Sequence, residues 1–245
     1  MMKYLLHSLS CLLLFAAGTC LAQTPGHTLR SGGIDRTYRL HLPEGLPDGA
    51  PLVIVLHGYG GQGDPERFDM NRVADRHGFA VCYPQGERDG RGKTCWHVGY
   101  PFQADMAVDD VRFLSELIRH LQKKHGLSRR NVFCTGMSNG GDMCYLLASR
   151  CPETYAALGP VAGFMSVEIL RSDRNPHPIP LFEIHGTEDR TTRWPPRRTG
   201  SSWPAPHWEK RLSSALKAAR RRPPAPPGSS LGREPTAARC TRSAP

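Results

Sequence analysis

Hydrophobic and polar positions alternate in two rhythms between residues 35 and 189. The text Thr37-Tyr-Arg-Leu-His-Leu42 alternates with period two and predicts a half-buried strand. Pro51-Leu-Val-Ile-Val-Leu56 is a continuous apolar run, as expected of a strand buried on both faces. Phe79-Ala-Val-Cys-Tyr83 and Asn131-Val-Phe-Cys134 read as further short strands, and 156–161 and 179–184 complete the set. Between them, 66–77, 105–124 and 139–150 read as helices. In the second, Val111, Leu114, Leu117, Ile118 and Leu121 share one face. Residues 86–104, rich in glycine and charge, read as a long loop. Strands and helices in this alternation predict an α/β fold, a mostly parallel sheet with helices on both faces.

After Asp189 the rhythm stops. The chain has 245 residues and a formal net charge of +10, which first suggests an acidic partner. Residues 1–189 hold 19 Lys+Arg against 20 Asp+Glu, a net −1. Residues 190–245 hold 13 Lys+Arg against Glu209 and Glu234, a net +11, and 10 of the 22 prolines. The body is therefore near neutral. Nucleic acid is not an expected partner, and the tail from 194 to 245 reads as basic polar sequence without a core. Only 209–222 there has helical spacing.

At the other end, Lys3, the apolar stretch Tyr4 to Ala17, and small residues Cys20 and Ala22 predict a signal peptide over 1–22, cleaved before Gln23. The stretch is shorter than the roughly 20 residues a membrane span needs, so no stable membrane anchor is expected. The mature chain is then secreted or periplasmic, in a disulfide-permissive compartment. Six cysteines remain: Cys82, Cys95, Cys134, Cys144, Cys151 and Cys240. Cys82 with Cys95 is the pairing suggested by closeness along the chain, and Cys134 and Cys144 can equally be buried thiols. No Cys/His spacing indicates a metal site.

Candidate chemistry lies at three strand ends. Gly136-Met137-Ser138-Asn139-Gly140 has the G-x-S-x-G pattern between a predicted strand and a predicted helix. There a serine hydroxyl stands exposed on a tight turn as a nucleophile, with a helix N-terminus behind it. His57-Gly58-Tyr59-Gly60-Gly61 follows the apolar strand. In α/β-hydrolases one oxyanion-binding N–H comes from this early loop and one from the residue after the nucleophile, here Tyr59 and Asn139. His57 is expected to close its loop, since the chain order in that fold is serine, acid, histidine. His185-Gly-Thr-Glu-Asp189 offers an acid, with Asp189 preferred to Glu188. Trp96 can line a pocket or pack in the core.

Together these motifs resemble the secreted polyhydroxybutyrate-depolymerase-like and feruloyl or acetylxylan esterases. The matching text is 56–61, Val-Asp-Asp-Val-Arg-Phe-Leu at 108–114, 136–141, Pro160-Val-Ala-Gly163 and 185–189. The resemblance covers roughly 28–193. It implies an α/β-hydrolase domain over 23–193, Ser138 as nucleophile, Asp189 as triad acid and the Tyr59 and Asn139 amides as oxyanion hole. It also implies an ester-containing polymer or oligomer as substrate, and no cofactor. The family's histidine stands in a late Gly-Gly-His-x-Trp-Pro segment, which this sequence lacks. The single histidine after Asp189 is His207, in Ala-Pro-His-Trp-Glu, which reads as a solvated tail histidine and is also the one remaining candidate base. The charge change, the lost rhythm and the missing segment lead to the expectation that the hydrolase domain is incomplete at its C-terminus. Residues from about 194 would then not be its native continuation, as a reading-frame error produces. Three other readings stand beside the esterase: a serine peptidase, a product inactive for want of a base, and binding through the basic tail.

Overall fold

A computed structural model of the chain describes residues 24, 26–166, 169 and 178–192. Eight strands and four helices run β1 (Gly26–Ser31), β2 (Ile34–His41), β3 (Leu52–Leu56), α1 (Pro65–Phe68), α2 (Met70–His77) and β4 (Ala80–Pro84). They continue as β5 (Glu87–Arg88), β6 (Thr94–Cys95), α3 (Asp110–His125), β7 (Val132–Met137), α4 (Asn139–Arg150) and β8 (Ala157–Val161). Six strands form one sheet in the order β1-β2-β4-β3-β7-β8. The pairs β1–β2 and β2–β4 are antiparallel, and β4–β3, β3–β7 and β7–β8 are parallel. The mostly parallel sheet is as predicted.

The two-sided burial of β3 and β4 explains their unbroken apolar text. Leu52, Ile54 and Leu56 of β3, with Ala80 and Cys82 of β4, point to the larger core. There they meet Phe113, Leu114, Leu117, Ile118 and Leu121 of α3 and Met143, Cys144 and Leu147 of α4. The alternate residues Val55, Val81 and Tyr83 point the other way, onto Ala74 of α2 and Phe68 of α1. Helices therefore cover both faces, and each strand residue has apolar neighbours whichever side it faces.

Several boundaries differ from the sequence expectation. Strand β1 was not read from the pattern. It forms an edge hairpin with β2 through Gly32 and Gly33, whose positive φ values of 59° and 87° suit a two-residue hairpin turn. The helix expected over 66–77 is two helices, because Asp69 takes a left-handed conformation at φ 49° and caps α1. Helix α3 begins at 110 rather than 105, since the Asp109 side chain accepts the Arg112 N–H and fixes the start. The 86–104 loop contains the β5–β6 hairpin and a short 3-10 turn at Pro101–Gln103. Residues 179–184 run beside β8 through bridges at Leu181 and Ile184 instead of a full ladder. Pro180 there accepts a bond from the Leu158 N–H but has none to give.

The cysteine pairing expected between Cys82 and Cys95 is not formed. Cys82, Cys95, Cys134 and Cys144 are buried free thiols, and Cys151 is buried as well. Cys82 faces the core from β4, while Cys95 lies against Gln103 and Met106. Cys240 lies outside the described residues, as do the predicted signal peptide and the tail helix. One buried ion-pair cluster ties the antiparallel edge to α3. Arg36 is 1% exposed, pairs with Asp110 at 2.7 Å and Glu87 at 3.0 Å, and lies 4.0 Å over the Phe113 ring.

Candidate active site

The β7–α4 turn carries Ser138 at the carboxyl edge of the sheet. Its backbone has φ 54° and ψ −120°, a conformation glycine adopts freely and serine does not. Two backbone bonds hold it there, from Ser138 N–H to Val161 O at 2.8 Å and from Asp142 N–H to Ser138 O at 2.9 Å. The surrounding chain approaches too closely for side chains. A Cβ at position 140 would lie 2.5 Å from the Leu56 carbonyl oxygen and 2.7 Å from that of His57. One at position 136 would lie 2.5 Å from the Gly140 oxygen. The glycines of the motif are thus required by contact between β3, β7 and α4. Helix α4 starts at Asn139 and directs its N-terminus at the serine.

The loop after β3 packs directly on this turn. A Cβ on Gly58 would lie 3.5 Å from that of Ser138. Tyr59 follows, one residue from the serine's flank. The Gly60 N–H is taken by Thr94 O at 2.7 Å and the Gly61 N–H by Gly58 O at 2.9 Å. No acceptor among the described residues takes those of Tyr59 or Asn139. His57 is fully buried, and both ring nitrogens are engaged. Nδ1 donates to Gly58 O at 2.8 Å, leaving Nε2 to accept from the Gly86 N–H at 2.9 Å and the Gln85 amide at 3.0 Å. Burial lowers its pKa. It closes its loop, as the sequence suggested.

Asn139 is 1% exposed and its side chain is bidentate to one residue. Oδ1 accepts the Trp96 N–H at 2.7 Å, and Nδ2 donates to Trp96 O at 3.1 Å. Trp96 is fully buried, stacks near His57 and donates Nε1–H to His57 O at 2.9 Å. Of its two sequence readings, core packing holds.

Asp142, one turn into α4, escaped the sequence reading. It is 2% exposed, bonds the Tyr100 hydroxyl, and accepts the Phe164 N–H at 2.8 Å. Burial pushes its carboxyl up to about 6, against the pull of the Tyr100 and Phe164 bonds. An aspartate among Met143, Cys144 and Leu147 on a buried helix was the available signal, because such a charge needs buried partners.

Asp189 lies at the same sheet edge, beyond β8. Ile184 pairs in parallel with Val161, the residue whose carbonyl holds Ser138. The Asp189 carboxylate accepts the Thr191 and Thr192 N–H groups at 2.8 Å each, which hold its pKa down. His185 lies 3.5 Å from it. Burial disfavours the His185 imidazolium, but Glu183 at 2.9 Å, the Thr192 carbonyl at 2.5 Å and Asp189 together raise its pKa. With Nδ1 on Glu183 and Nε2 on Thr192, this ring is already committed. The structure thus gathers Ser138, Asn139 and Tyr59 and sets Asp189 on the same edge. His207 lies outside the described residues. Among the described residues no cluster of three or more His, Cys, Asp or Glu is arranged to hold a metal.

Residues 36–172 match the family model described as Esterase PHB depolymerase. A bifunctional acetylxylan esterase/xylanase of Neocallimastix patriciarum is 28% identical over 164 residues, 65% of this chain and 22% of that protein. Poly(3-hydroxyalkanoate) depolymerase C of Paucimonas lemoignei is 27% identical over 124 residues, 50% of this chain and 30% of that one. The chain spans between 22% and 49% of the length of the first three curated relatives it matches. Among solved structures, a thermostable esterase superposes with a TM-score of 0.54 at 21% identity, covering 70% of this chain and 48% of the other. The fold is that of an α/β-hydrolase.

Proposed function

The chain belongs to the PHB depolymerase esterase family, and from that premise we propose that it hydrolyses carboxylic esters through an acyl-enzyme on Ser138. The observation that carries the proposal is the Ser138 backbone at φ 54° and ψ −120°, held on a turn with no room for side chains at 136 and 140. Strain of this kind is kept where a fold presents a reactive group, and here it lifts the hydroxyl clear of the sheet edge.

The Ser138 Oγ attacks the ester carbonyl carbon and passes its proton to a base. The negative charge that develops on the carbonyl oxygen is received by the N–H groups of Tyr59 and Asn139, at the N-terminus of α4. The tetrahedral intermediate collapses, the alcohol leaves with a proton, and water releases the acyl group by the same route. Asp189 orients the base, which His207 supplies. The acyl group comes from a polyester of hydroxyalkanoates or from acetyl or feruloyl esters on polysaccharide. Export through a signal peptide over 1–22 brings the enzyme to such polymers. The hydrolase domain spans 23–193, and 194–245 is a basic segment outside it.

A second reading is favoured by a specific observation. His207 is the one histidine downstream of Asp189 and lacks the Gly-Gly-His-x-Trp-Pro setting, while the His185 ring is fully engaged. A chain without a base keeps Ser138 but loses roughly 10⁴-fold or more in rate. One experiment separates the two. Purified protein is treated with a fluorophosphonate probe and assayed on p-nitrophenyl acetate, beside Ser138→Ala and His207→Ala. Labelling and turnover that vanish in Ser138→Ala support the elbow, and their loss in His207→Ala assigns the base. Labelling that persists in Ser138→Ala overturns the nucleophile assignment.

A further inference from the structure

The segment 89–96 is bonded to both loops that carry the proposed oxyanion donors. Toward the β3 loop, the Tyr59 hydroxyl donates to Asp89 Oδ2 at 2.6 Å. In the same direction the Thr94 carbonyl accepts the Gly60 N–H at 2.7 Å, and the Thr94 hydroxyl donates to Gly61 O at 2.5 Å. Toward the elbow, Trp96 is clamped by the Asn139 amide through its own N–H and C=O. One stretch of eight residues therefore sets the spacing between Tyr59 and Asn139.

Within that stretch, Asp89 has the strongest hold on its surroundings. Its Oδ1 accepts the Arg91 N–H at 2.9 Å and the Lys93 N–H at 3.0 Å, and its own N–H goes to Lys93 O at 2.9 Å. The second oxygen is left for Tyr59 alone. Tyr59 stands between Gly58 and Gly60, so its own backbone neighbours restrain it little. Tyr59 is 38% exposed, and among the described residues its ring meets one aromatic partner, the edge of Phe102.

We propose that Asp89 is a positioning residue that fixes the Tyr59 peptide for oxyanion binding through the Tyr59 hydroxyl. This rests on the esterase reading above. An oxyanion donor displaced by about 1 Å loses most of its effect, because its value lies in being aimed before charge develops. Anchoring the ring tip to a fixed carboxylate removes the rotation about the Tyr59 backbone that would turn the N–H away. The same bonds, that from Tyr59 first, hold the Asp89 carboxyl below the usual aspartate range, which favours the ionised acceptor. The β5–β6 hairpin within residues 86–104 is then the frame of the oxyanion site.

The test uses the full chain in four forms: unaltered, Tyr59→Phe, Asp89→Ala and the double variant. Tyr59→Phe removes one hydroxyl and keeps the ring against Phe102. Each single variant is expected to lower kcat on p-nitrophenyl acetate about tenfold with KM within twofold. The double variant is expected to match Asp89→Ala, since Tyr59→Phe has no bond left to break once the carboxylate is gone. A loss in KM alone, or multiplying effects, overturns the proposal. Hydrogen exchange read in parallel does not depend on turnover. The protected Gly60 and Gly61 amides are expected to exchange at least tenfold faster in Tyr59→Phe and Asp89→Ala, and at the unaltered rate in Ser138→Ala. Unchanged exchange in both overturns the positioning role even in a chain that turns nothing over. An unaltered chain with no turnover but faster exchange in the variants counts against the esterase reading and for the anchor.

Discussion

Replacing Tyr100 by phenylalanine tests how α4 tolerates a buried carboxylate. The substitution keeps the ring against Phe102, whose centroid is 5.1 Å away, and removes only the hydroxyl bonded to Asp142. Asp142 is 2% exposed, and burial raises its carboxyl from the ordinary aspartate value to about 6, with Glu183 adding to the rise. Between those two values the folded chain holds the proton more tightly than the unfolded chain. Stability therefore falls as pH rises through the window, by about 3 kcal/mol in all. The Tyr100 bond opposes this by stabilising the ionised form. Without it the carboxyl rises further and the window extends upward. A hydrogen bond to a charged group contributes about 1.5–3 kcal/mol, and one to a neutral group about 1 kcal/mol. Tyr100→Phe should thus cost about 1 kcal/mol at pH 5, where Asp142 is mostly protonated, and about 2–3 kcal/mol at pH 8, where it is ionised. Urea melts of both proteins at the two pH values measure the difference, and titrations elsewhere cancel between them. A loss of equal size at pH 5 and pH 8 would refute the reasoning. Asp142→Asn should remove the pH dependence of the Tyr100→Phe cost.

Three further outcomes are expected. Ser138→Gly should raise the urea midpoint by the equivalent of about 1 kcal/mol while abolishing turnover, because glycine adopts φ 54° and ψ −120° without strain; urea titration and p-nitrophenyl acetate assays report the two halves. Gly140→Ala should destabilise by about 3 kcal/mol, or prevent folding, since its Cβ would meet backbone oxygens of Leu56 and His57 that cannot move apart independently. Arg36→Ala should cost about 3–5 kcal/mol in chemical denaturation, because it strands Asp110 without its cation inside the fold.

Much of the framework was written in local pattern. The two-sided burial of β3 and β4 shows directly as unbroken apolar text, and the strand–serine–helix context of 136–141 located the elbow without any long-range information. What the pattern missed depends on contacts between distant segments. The break at Asp69 arises from a left-handed residue that periodicity does not encode. Strand β1 is a half-exposed edge with too few apolar positions to stand out. Asp110 and Asp142 looked like ordinary helix acids. Their partners Arg36, His97, Tyr100 and Phe164 lie from 13 to 74 residues away. The cysteine pairing failed for the same reason, since nearness along the chain does not show that Cys82 lies in the main sheet and Cys95 in the separate β5–β6 hairpin. Trp96 was left between two readings because its role is settled by the amide of Asn139, 43 residues on.

The double attachment of residues 89–96 bears on how new specificities can be built on this scaffold. Segments that rise above a hydrolase sheet are the usual material for loop grafting, and 86–104 has the length and composition of an exchangeable cap. Here its first half is tied to two separate parts of the chain, so a transplanted loop of different span would drag the β3 loop and the elbow with it. A graft that leaves both attachments standing keeps Asp89, Thr94 and Trp96 in place, and with them His97, Tyr100 and Gln103, which bond Asp110, Asp142 and the Trp96 carbonyl. The positions open to combinatorial libraries are therefore scattered exposed ones, such as the hairpin tip at 90–92, and not a contiguous half of the stretch.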